Sequence, residues 1–500
     1  MVDQPHRRRA SWLPATLSDR PGRTLRQQLR EAMKGAIRAG HLPAGATVPS
    51  SRALAEDLGV SRGVVVDAYA QLTAEGFLTT RAGSGTVVSQ VALPVARPTP
   101  ATVAPAFAEG LSYSIDLRPG LPDLGAFPRA AWMAATRDVL RSLPDEELGY
   151  VAPWGAMALR KELADYLTRV RAAMVEADHL VIVSGATQAL TLLVRMLAKS
   201  GHEVLAIESP SNVVQRQVLG RHISRIVEIP VDDEGIDVSK LESTVASAVL
   251  ITPAHQYPSG VVLSPARRSA LIRWAEGVNG VVIEDDYDSE FRYDRRPVGC
   301  LQGLDPQHVA LVGSVSKSLA PGLRLGWVVA PPPLYERVRT AKRDDDFGSP
   351  VLSQHVLARL MTNGGYDRHI RRTRRRYMDR RDALVTALGQ QLPDWEVRGR
   401  AGGLHVMLRL PSGLDEESVC AAAAARGLAV QGTRAMYGAL PGPDGLFISY
   451  ARAPTGVLTE AVQRLAAARS SIGTGEGNGS GNGSGVAVQR LRPATALDYF

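Results

Sequence analysis

Leu311-Val-Gly-Ser-Val-Ser-Lys-Ser-Leu-Ala-Pro-Gly-Leu-Arg-Leu-Gly-Trp327 decides how the rest of the chain is read. An apolar run from Val309 to Val312 gives way to small polar residues with a lysine among them, and a Pro-Gly turn precedes Arg324. A lysine held where a strand passes into a tight loop is partly desolvated. Desolvation disfavours the ammonium and frees the amine as a nucleophile toward an aldehyde. Gly313, Ser314 and Ser316, with Arg324, are suited to holding a phosphate nearby. Amine and phosphate site together suggest pyridoxal 5'-phosphate bound as a Schiff base to Lys317. On this stretch alone a surface-loop lysine beside an ordinary turn is the alternative.

At 500 residues the chain is too long for one core and is expected to form two or more domains. No uncharged apolar run is long enough to span a bilayer, and no apolar segment follows Arg7-Arg8-Arg9, so no secretory signal is expected. The two cysteines, Cys300 and Cys420, lack metal-like spacing and point to a reducing compartment, the cytoplasm. Formal charge is +8. Residues 1–90 carry 12 Lys and Arg against 7 Asp and Glu, so the N-terminal region is a basic module suited to a polyanion.

Within that module Leu25, Leu29, Met33 and Ile37 recur at helical spacing. Pro49-Ser50-Ser51-Arg52 caps a short second helix through Leu54 and Leu58. Ser61 caps a third helix with an inner face of Val65, Ala68, Tyr69 and Leu72. Two β segments, Phe77–Thr80 and Thr86–Ser89, flank Arg81-Ala-Gly-Ser-Gly85. This is a winged helix-turn-helix order. Ser61, Arg62 and Gly63 stand where free N–H groups favour phosphate, and the residues after them can enter a major groove. Arg52, beside Ser50 and Ser51, is placed for backbone or guanine contact. Arg81 with Gly83 and Gly85 allows close approach to phosphate or minor groove. Leu-Pro-x-Gly, Pro-Ser-Ser-Arg-x-Leu-Ala, Leu-Gly-Val-Ser-Arg and the wing Gly-x-Gly closely resemble the GntR-type DNA-binding head, with Val64 standing where threonine is usual.

Residues 91–114 are rich in proline and alanine and read as a semi-rigid linker. Beyond it, Leu180–Val183, Val204–Ile207, Ala248–Ile251, Val281–Ile283 and Val309–Val312 are short apolar runs between helical patterns. Buried parallel strands covered by helices look like this, with functional groups gathered beyond their carboxyl ends. Ser184-Gly185-Ala186-Thr187 follows the first run and opens a helix, a phosphate site or an ordinary capped start. Glu284-Asp-Asp-Tyr-Asp288 follows the fourth, where a carboxylate can pair with a pyridinium nitrogen and Tyr287 with a ring oxygen. A divalent-metal carboxylate site is the alternative for that acidic run.

Phosphate turn, acid with tyrosine, lysine and arginine arrive in the order of fold-type I aminotransferases. Asp116-Leu-Arg-Pro-Gly-Leu-Pro-Asp, Leu-Gly-Tyr150, Glu-Asp-Asp-Tyr-Asp-Ser-Glu-Phe291, Ser-Lys-Ser-Leu-Ala-Pro-Gly-Leu-Arg324 and His-Ile-Arg-Arg372 resemble the MocR subgroup of GntR regulators. The resemblance implies an α/β fold: a winged helix-turn-helix over 24–90, then an aminotransferase-like domain over 115–470, whose mainly parallel sheet is joined to a smaller C-terminal α+β subdomain. It implies that Lys317 carries the cofactor and that Asp285 faces the pyridine nitrogen. Tyr287 and Tyr257 lie at the ring, and Gly185, Ala186, Thr187, Ser314 and Arg324 lie at the phosphate. Tyr150 reaches the cofactor of a partner subunit, so a homodimer is implied.

Three positions depart from that pattern. Asn212 stands where a ring-packing tyrosine is usual, Tyr257 where aminotransferases carry asparagine, and Phe447 where they carry the arginine that clamps a substrate carboxylate. Arg452 is near but one strand position turns a side chain to the other face. The basic run Arg368–Arg381 reads as a solvated helix face or a second DNA-facing surface. A basic arm (1–23) and a glycine-rich tail (471–500) flank the domains. The expectation is a dimeric DNA-binding transcription regulator whose pyridoxal phosphate domain senses a small amino compound or the cofactor itself, bound to double-stranded DNA and needing no metal. The alternative is an active aminotransferase with an autoregulatory head.

Overall fold

A computed structural model describes residues 24–81, 85–89, 113–293, 299–399 and 401–473. The N-terminal arm, Gly83, most of the linker and the tail beyond residue 473 lie outside the described residues. The chain divides into two compact units, Met1–Ala108 and Glu109–Phe500.

The first unit runs α1 (Leu25–Arg38), α2 (Ser51–Leu58), α3 (Arg62–Ala74), β1 (Leu78–Arg81) and β2 (Gly85–Val88). Thr24 opens α1 with a reciprocal cap: its hydroxyl accepts from Gln27 N, and the Gln27 side chain accepts from Thr24 N at 3.0 Å. Leu29, Met33 and Ile37 meet Leu54, Val65, Ala68, Tyr69 and Leu72 in one core that Leu78 and Val88 of the wing complete. Tyr69 Oη donates to Pro49 O at 2.8 Å and ties α3 to the turn before α2. Both wing strands sit one residue from their expected bounds. The ladder runs from Leu78↔Val88 to Arg81↔Gly85, which leaves Phe77 O to accept from Ser89 N beyond it.

The second unit begins with β3 (Ile115–Asp116), α4 (Arg129–Ser142), α5 (Met157–Arg171), β4 (Leu180–Val183), α6 (Ala186–Lys199), β5 (Val204–Ser209) and α7 (Val213–Leu219). It continues through β6 (Arg225–Asp232), β7 (Gly235–Ile236), α8 (Val238–Glu242), β8 (Ala248–Ile251), α9 (Pro265–Val278), β9 (Val281–Asp286), β10 (Val309–Ser314) and β11 (Gly326–Val329). Strands β4 to β11 form one eight-stranded sheet in the order β4-β11-β10-β9-β8-β5-β6-β7. From β10 to β6 every pairing is parallel. β11 runs antiparallel between β4 and β10. All five apolar runs are strands, but Leu180–Val183 pairs antiparallel, because the intervening β11 returns straight from the Lys317 loop. Alternate residues fill opposite cores: Leu205, Ile207, Leu250 and Ile283 on one face, Ala206, Val249, Ile251 and Val282 on the other.

The remainder is α10 (Pro332–Asp346), α11 (Val351–Thr362), α12 (Gly365–Gln391), β12 (Glu396–Arg398), β13 (His405–Arg409), α13 (Glu416–Ala424), β14 (Leu428–Ala429), β15 (Gln431–Gly432), β16 (Gly445–Ser449) and α14 (Thr455–Gly473). A four-stranded sheet, β12-β13-β16-β15, forms the smaller α+β part. β3 pairs with β14, and Ser114 Oγ donates to Gly427 O and accepts from Arg464 Nη1. Ser114 is thus part of the second unit and not of the linker. α14 likewise carries that unit three residues past the expected end at 470.

Candidate functional site

A cavity of about 340 Å³ opens beyond the carboxyl ends of the parallel strands. Ala186, Thr187, Tyr257, Asp285, Tyr287, Ser314, Lys317 and Arg324 all line it. Gly185 stands directly behind Arg324. Tyr150 is not brought to the cavity and is 99% exposed.

Lys317 lies three residues beyond the end of β10. Its Nζ donates to Gly120 O at 2.5 Å. Burial pushes its pKa down, with Asp288 and Asp285 opposing, so the amine is nearer its neutral form than a surface lysine. Asp285, on the neighbouring β9, accepts from Gln215 Nε2 at 3.0 Å through Oδ2, while buried Oδ1 has no partner among the described residues. Burial pushes its carboxyl up to about 6, against the Gln215 hydrogen bond. A buried acceptor left without a donor in a lined cavity fits a ligand bearing a protonated ring nitrogen.

The period of the strand sorts the acidic run. Asp285 faces the cavity, whereas Asp286 pairs with buried Arg171 at 2.7 Å and Glu284 accepts from Leu301 N and Gln302 N. Among the described residues no three His, Cys, Asp or Glu side chains group as metal ligands.

At the phosphate end Gly185 has φ +92°, and a Cβ there would lie 2.9 Å from Arg324 Nη2. Only glycine lets the arginine close over the start of α6, where its guanidinium donates to Ser184 O. Gly185 caps α6 with no side-chain hydrogen bond, so the first N–H groups of the helix are left for an anion. Behind the turn Gln188 bonds Ser184 N and Asp346, and fully buried Lys342 donates to Asp346 and Ser349 Oγ. These polar ties hold the turn from its rear.

Phe447 is fully buried behind the cavity wall. Its ring meets His405 at 4.3 Å and Tyr257 at 5.2 Å, edge to face. Arg452 donates to Asp116 O at 3.0 Å and pairs with its carboxylate at 3.1 Å, away from the cavity lining. Arg216 reaches the lining but is held by Glu228 at 3.3 Å and by Ala435 O. Asn212 caps α7 through Gln215 N at 2.9 Å. Sequence reasoning did not assign Gly120, Gln215, His405 or Lys342. Gly120 sits within the Asp116–Asp123 motif, but the other three carried no signal that separates them from surface or core residues.

In the first unit Ser50 Oγ accepts from Ala53 N and caps α2, whereas the Ser61 side chain makes no cap bond to α3. Ser61, Arg62 and Gly63 are exposed together at the start of α3, and Arg52 is exposed on α2, next to half-buried Ser51. Three of the four basic residues of α1 are paired with acids: Arg26 with Asp67, and Arg30 and Lys34 with Glu75, while Arg38 lies over the Phe77 ring. Arg52 and Arg62 have no acidic partner among the described residues. Arg81 ends β1 and Gly85 opens β2.

The run Arg368–Arg381 divides in two. Arg374 donates to Glu290 O, Arg376 and Arg380 pair with Asp123, and Arg381 lies over the Tyr293 ring. Arg368, Arg371, Arg372 and Arg375 form the exposed stripe.

A lysine and a carboxylate flanking a cavity with a glycine-arginine phosphate turn define a pyridoxal phosphate domain of aminotransferase type. Comparison with known proteins agrees. Residues 115–465 match the family of class I and II aminotransferases, and residues 25–88 match the bacterial regulatory proteins of the gntR family. The chain is 34% identical to the HTH-type pyridoxine biosynthesis transcriptional regulator PdxR of Corynebacterium glutamicum, over 88% of this chain and 94% of that one. It is 30% identical to the probable rhizopine catabolism regulatory protein MocR of Rhizobium meliloti, over 89% and 93%. Among solved structures, the kynurenine aminotransferase of Pyrococcus horikoshii superposes with a TM-score of 0.67 at 27% identity, over 73% of this chain and 92% of that one. The chain belongs to the GntR-type transcription regulators that carry an aminotransferase domain. Its N-terminal unit binds DNA, and the cofactor of the second unit is pyridoxal 5'-phosphate.

The charges lead to two expected outcomes. The folded-state pKa of Asp285 is raised, so its contribution is neutral below the unfolded value near 4 and becomes a penalty as pH rises toward 6. Asp285→Asn is therefore expected to stabilise the cofactor-free chain at pH 7 by about 2–3 kcal/mol while weakening cofactor binding. Thermal melts at pH 4 and 7, with and without cofactor, check both effects. Arg62→Ala is expected to weaken DNA binding and to lower the slope of log K against log salt by about one. A salt titration measures it.

Proposed function

We propose that this regulator is a cytoplasmic homodimer whose second unit reports pyridoxal phosphate, alone or with a small amino compound, to the DNA-binding heads. Lys317, Asp285, Tyr287 and Tyr257 would hold the ring end of the cofactor, and Gly185, Ala186, Thr187, Ser314 and Arg324 its phosphate. Bound there, the cofactor supplies an aldehyde for amines and a ring that withdraws electrons. The chain itself supplies a desolvated amine at Lys317 Nζ, an acceptor at Asp285 Oδ1 and a hydroxyl at Tyr287.

The observation that carries sensing over turnover is Phe447 with its neighbours. Where a bidentate arginine would fix a substrate carboxylate, the wall is Tyr257 and His405 backed by Phe447. Burial pushes His405 well below its ordinary range, so this wall carries no positive charge at neutral pH. Without that clamp an α-amino acid is poorly positioned, and the cofactor itself is left as the best-held ligand.

Dimerisation is supported by apolar exposure on adjoining elements. Leu148, Tyr150, Phe347, Met133, Leu140 and Leu352 are exposed on α4, on the turn at 145–150 and around the junction of α10 and α11. α4 and that turn both pack on α11. Side chains of this kind mark an association face, and Tyr150 stands far enough out to enter a partner's cavity. The cytoplasm is supported by the DNA partner and by two free cysteines.

Sensing requires a ligand with unequal affinity for two arrangements of the chain. Pyridoxal phosphate is expected to change affinity for a DNA site selected from a random pool by about 5-fold or more, and Lys317→Ala is expected to abolish that response. Equal affinity with and without cofactor, measured by fluorescence anisotropy, would refute sensing. Steady amino transfer above about 1 per second would favour the enzyme reading instead.

A further inference from the structure

Behind Tyr287 lies a buried pair that the cofactor set leaves unused. His255 Nδ1 is 2.9 Å from Asp288 Oδ2 and 3.0 Å from Tyr287 Oη. His255 is 3% exposed and Asp288 2%. An ionised carboxylate only accepts hydrogen bonds, so the ring nitrogen facing it carries a proton. That Nδ1–H is shared with Tyr287 Oη, which accepts from behind. A phenol has one proton; with Asp288 Oδ2 already accepting from Nδ1–H and the phenol oxygen accepting at the rear, the O–H can turn to the cavity that Tyr287 lines rather than to Asp288. Were Nδ1 the acceptor, two lone pairs would oppose each other at Asp288 and the Tyr287 proton would be spent inside the protein.

The surroundings hold this arrangement. A Cβ on Gly403 would lie 2.2 Å from His255 Cε1, and one on Gly260 would lie 2.9 Å from Nε2, so the imidazole fills a slot that only glycines leave open. Among the described residues buried Nε2 has no partner, and the ring bonds through Nδ1. Burial, with Asp288 adding, raises the Tyr287 pKa far above that of a free phenol, so its proton stays on the oxygen. The other ionisable groups facing the pair include Asp285, Lys317, Tyr257 and His405 on the cavity side and Tyr293, Tyr450 and Glu290 around Asp288. The His405 ring lies 5.1 Å from that of His255 and 6.4 Å from that of Tyr287.

We propose that His255, oriented by Asp288, is a positioning residue that fixes Tyr287 as a hydrogen-bond donor to the phenolic oxygen of bound pyridoxal phosphate. The proposal rests on the cofactor reading above. It follows from two distances and a tautomer, and it gives work to a His-Asp pair that would otherwise be a costly buried polar group.

The test is a pH titration of the visible absorbance of the cofactor-loaded full chain. Tyr287→Phe removes the donor, so the phenolic oxygen holds the proton on the Lys317 nitrogen more tightly and the midpoint rises by about one pH unit or more. His255→Phe is expected to raise the midpoint in the same direction, and the double variant is expected to add nothing further. His255→Gln, which keeps an N–H, is expected to return the midpoint most of the way. A His255→Phe midpoint equal to that of the wild type, or shifts that add in the double variant, would overturn the proposal. If His255→Phe does not fold, the nitrogen chemical shifts of His255 in the wild type decide: Nδ1 protonation supports the proposal and Nε2 protonation alone overturns it. A loaded wild type with no visible band would sink the cofactor reading and this proposal together.

Discussion

Two opposite charges are kept from water at the carboxyl ends of adjacent parallel strands, and the second unit is arranged around them. β9 and β10 run in register, Val312 beside Asp285, and each strand delivers one group to the same cavity. Burying either group costs free energy unless it is paired. Among the described residues they are paired incompletely: Asp285 keeps one oxygen without a donor, and Lys317 donates to a backbone carbonyl. Both are therefore pushed toward neutrality. A ligand with a protonated ring nitrogen and a reactive carbonyl would meet both demands, and its phosphate would meet the open N–H groups at the start of α6, a set that fits pyridoxal phosphate.

The same strand does structural work on its other face. Asp286 and Glu284 are anchored by Arg171 and by backbone N–H groups, so β9 is held by the residues that point away from the cavity. Rigid support of this kind fixes the cavity side chains. On the proposed reading the far wall, where Tyr257, His405 and Phe447 meet edge to face, takes the place of a substrate-clamping guanidinium. On that reading the cavity would grip the cofactor well and a second substrate poorly, which suits reporting occupancy better than turnover.

Much of this was legible in the chain. The five apolar runs located the strands, and the chemistry after each run located Lys317, Asp285, Tyr287 and the phosphate turn, because parallel strands deliver the residues after them to one edge of the sheet. The head was legible for a similar reason: caps, glycine turns and a helical inner face are local signals. What escaped was non-local. β11 is as long as β4 and β8, but it opens on Gly326 directly after the Lys317 loop, and its antiparallel course depends on that loop. Gln215, His405 and Lys342 gain their roles only when α7, β13 and α10 are brought to the cavity or to its phosphate turn. The charge count also misled in part, since three basic residues of α1 are neutralised by acids of α1, α3 and the turn after it, and half of the α12 arginines are internal ties.

The two units are joined by a segment whose composition favours extension, and the central claim is that occupancy of one unit biases the other. Coupling between two binding sites is reciprocal: whatever factor the cofactor applies to DNA affinity, DNA must apply to cofactor affinity. The most direct test is the affinity of the full chain for pyridoxal phosphate, measured with and without saturating specific DNA. Coupling predicts a shift equal, within error, to the change that the cofactor makes in DNA affinity. An identical cofactor affinity in the two conditions would contradict it.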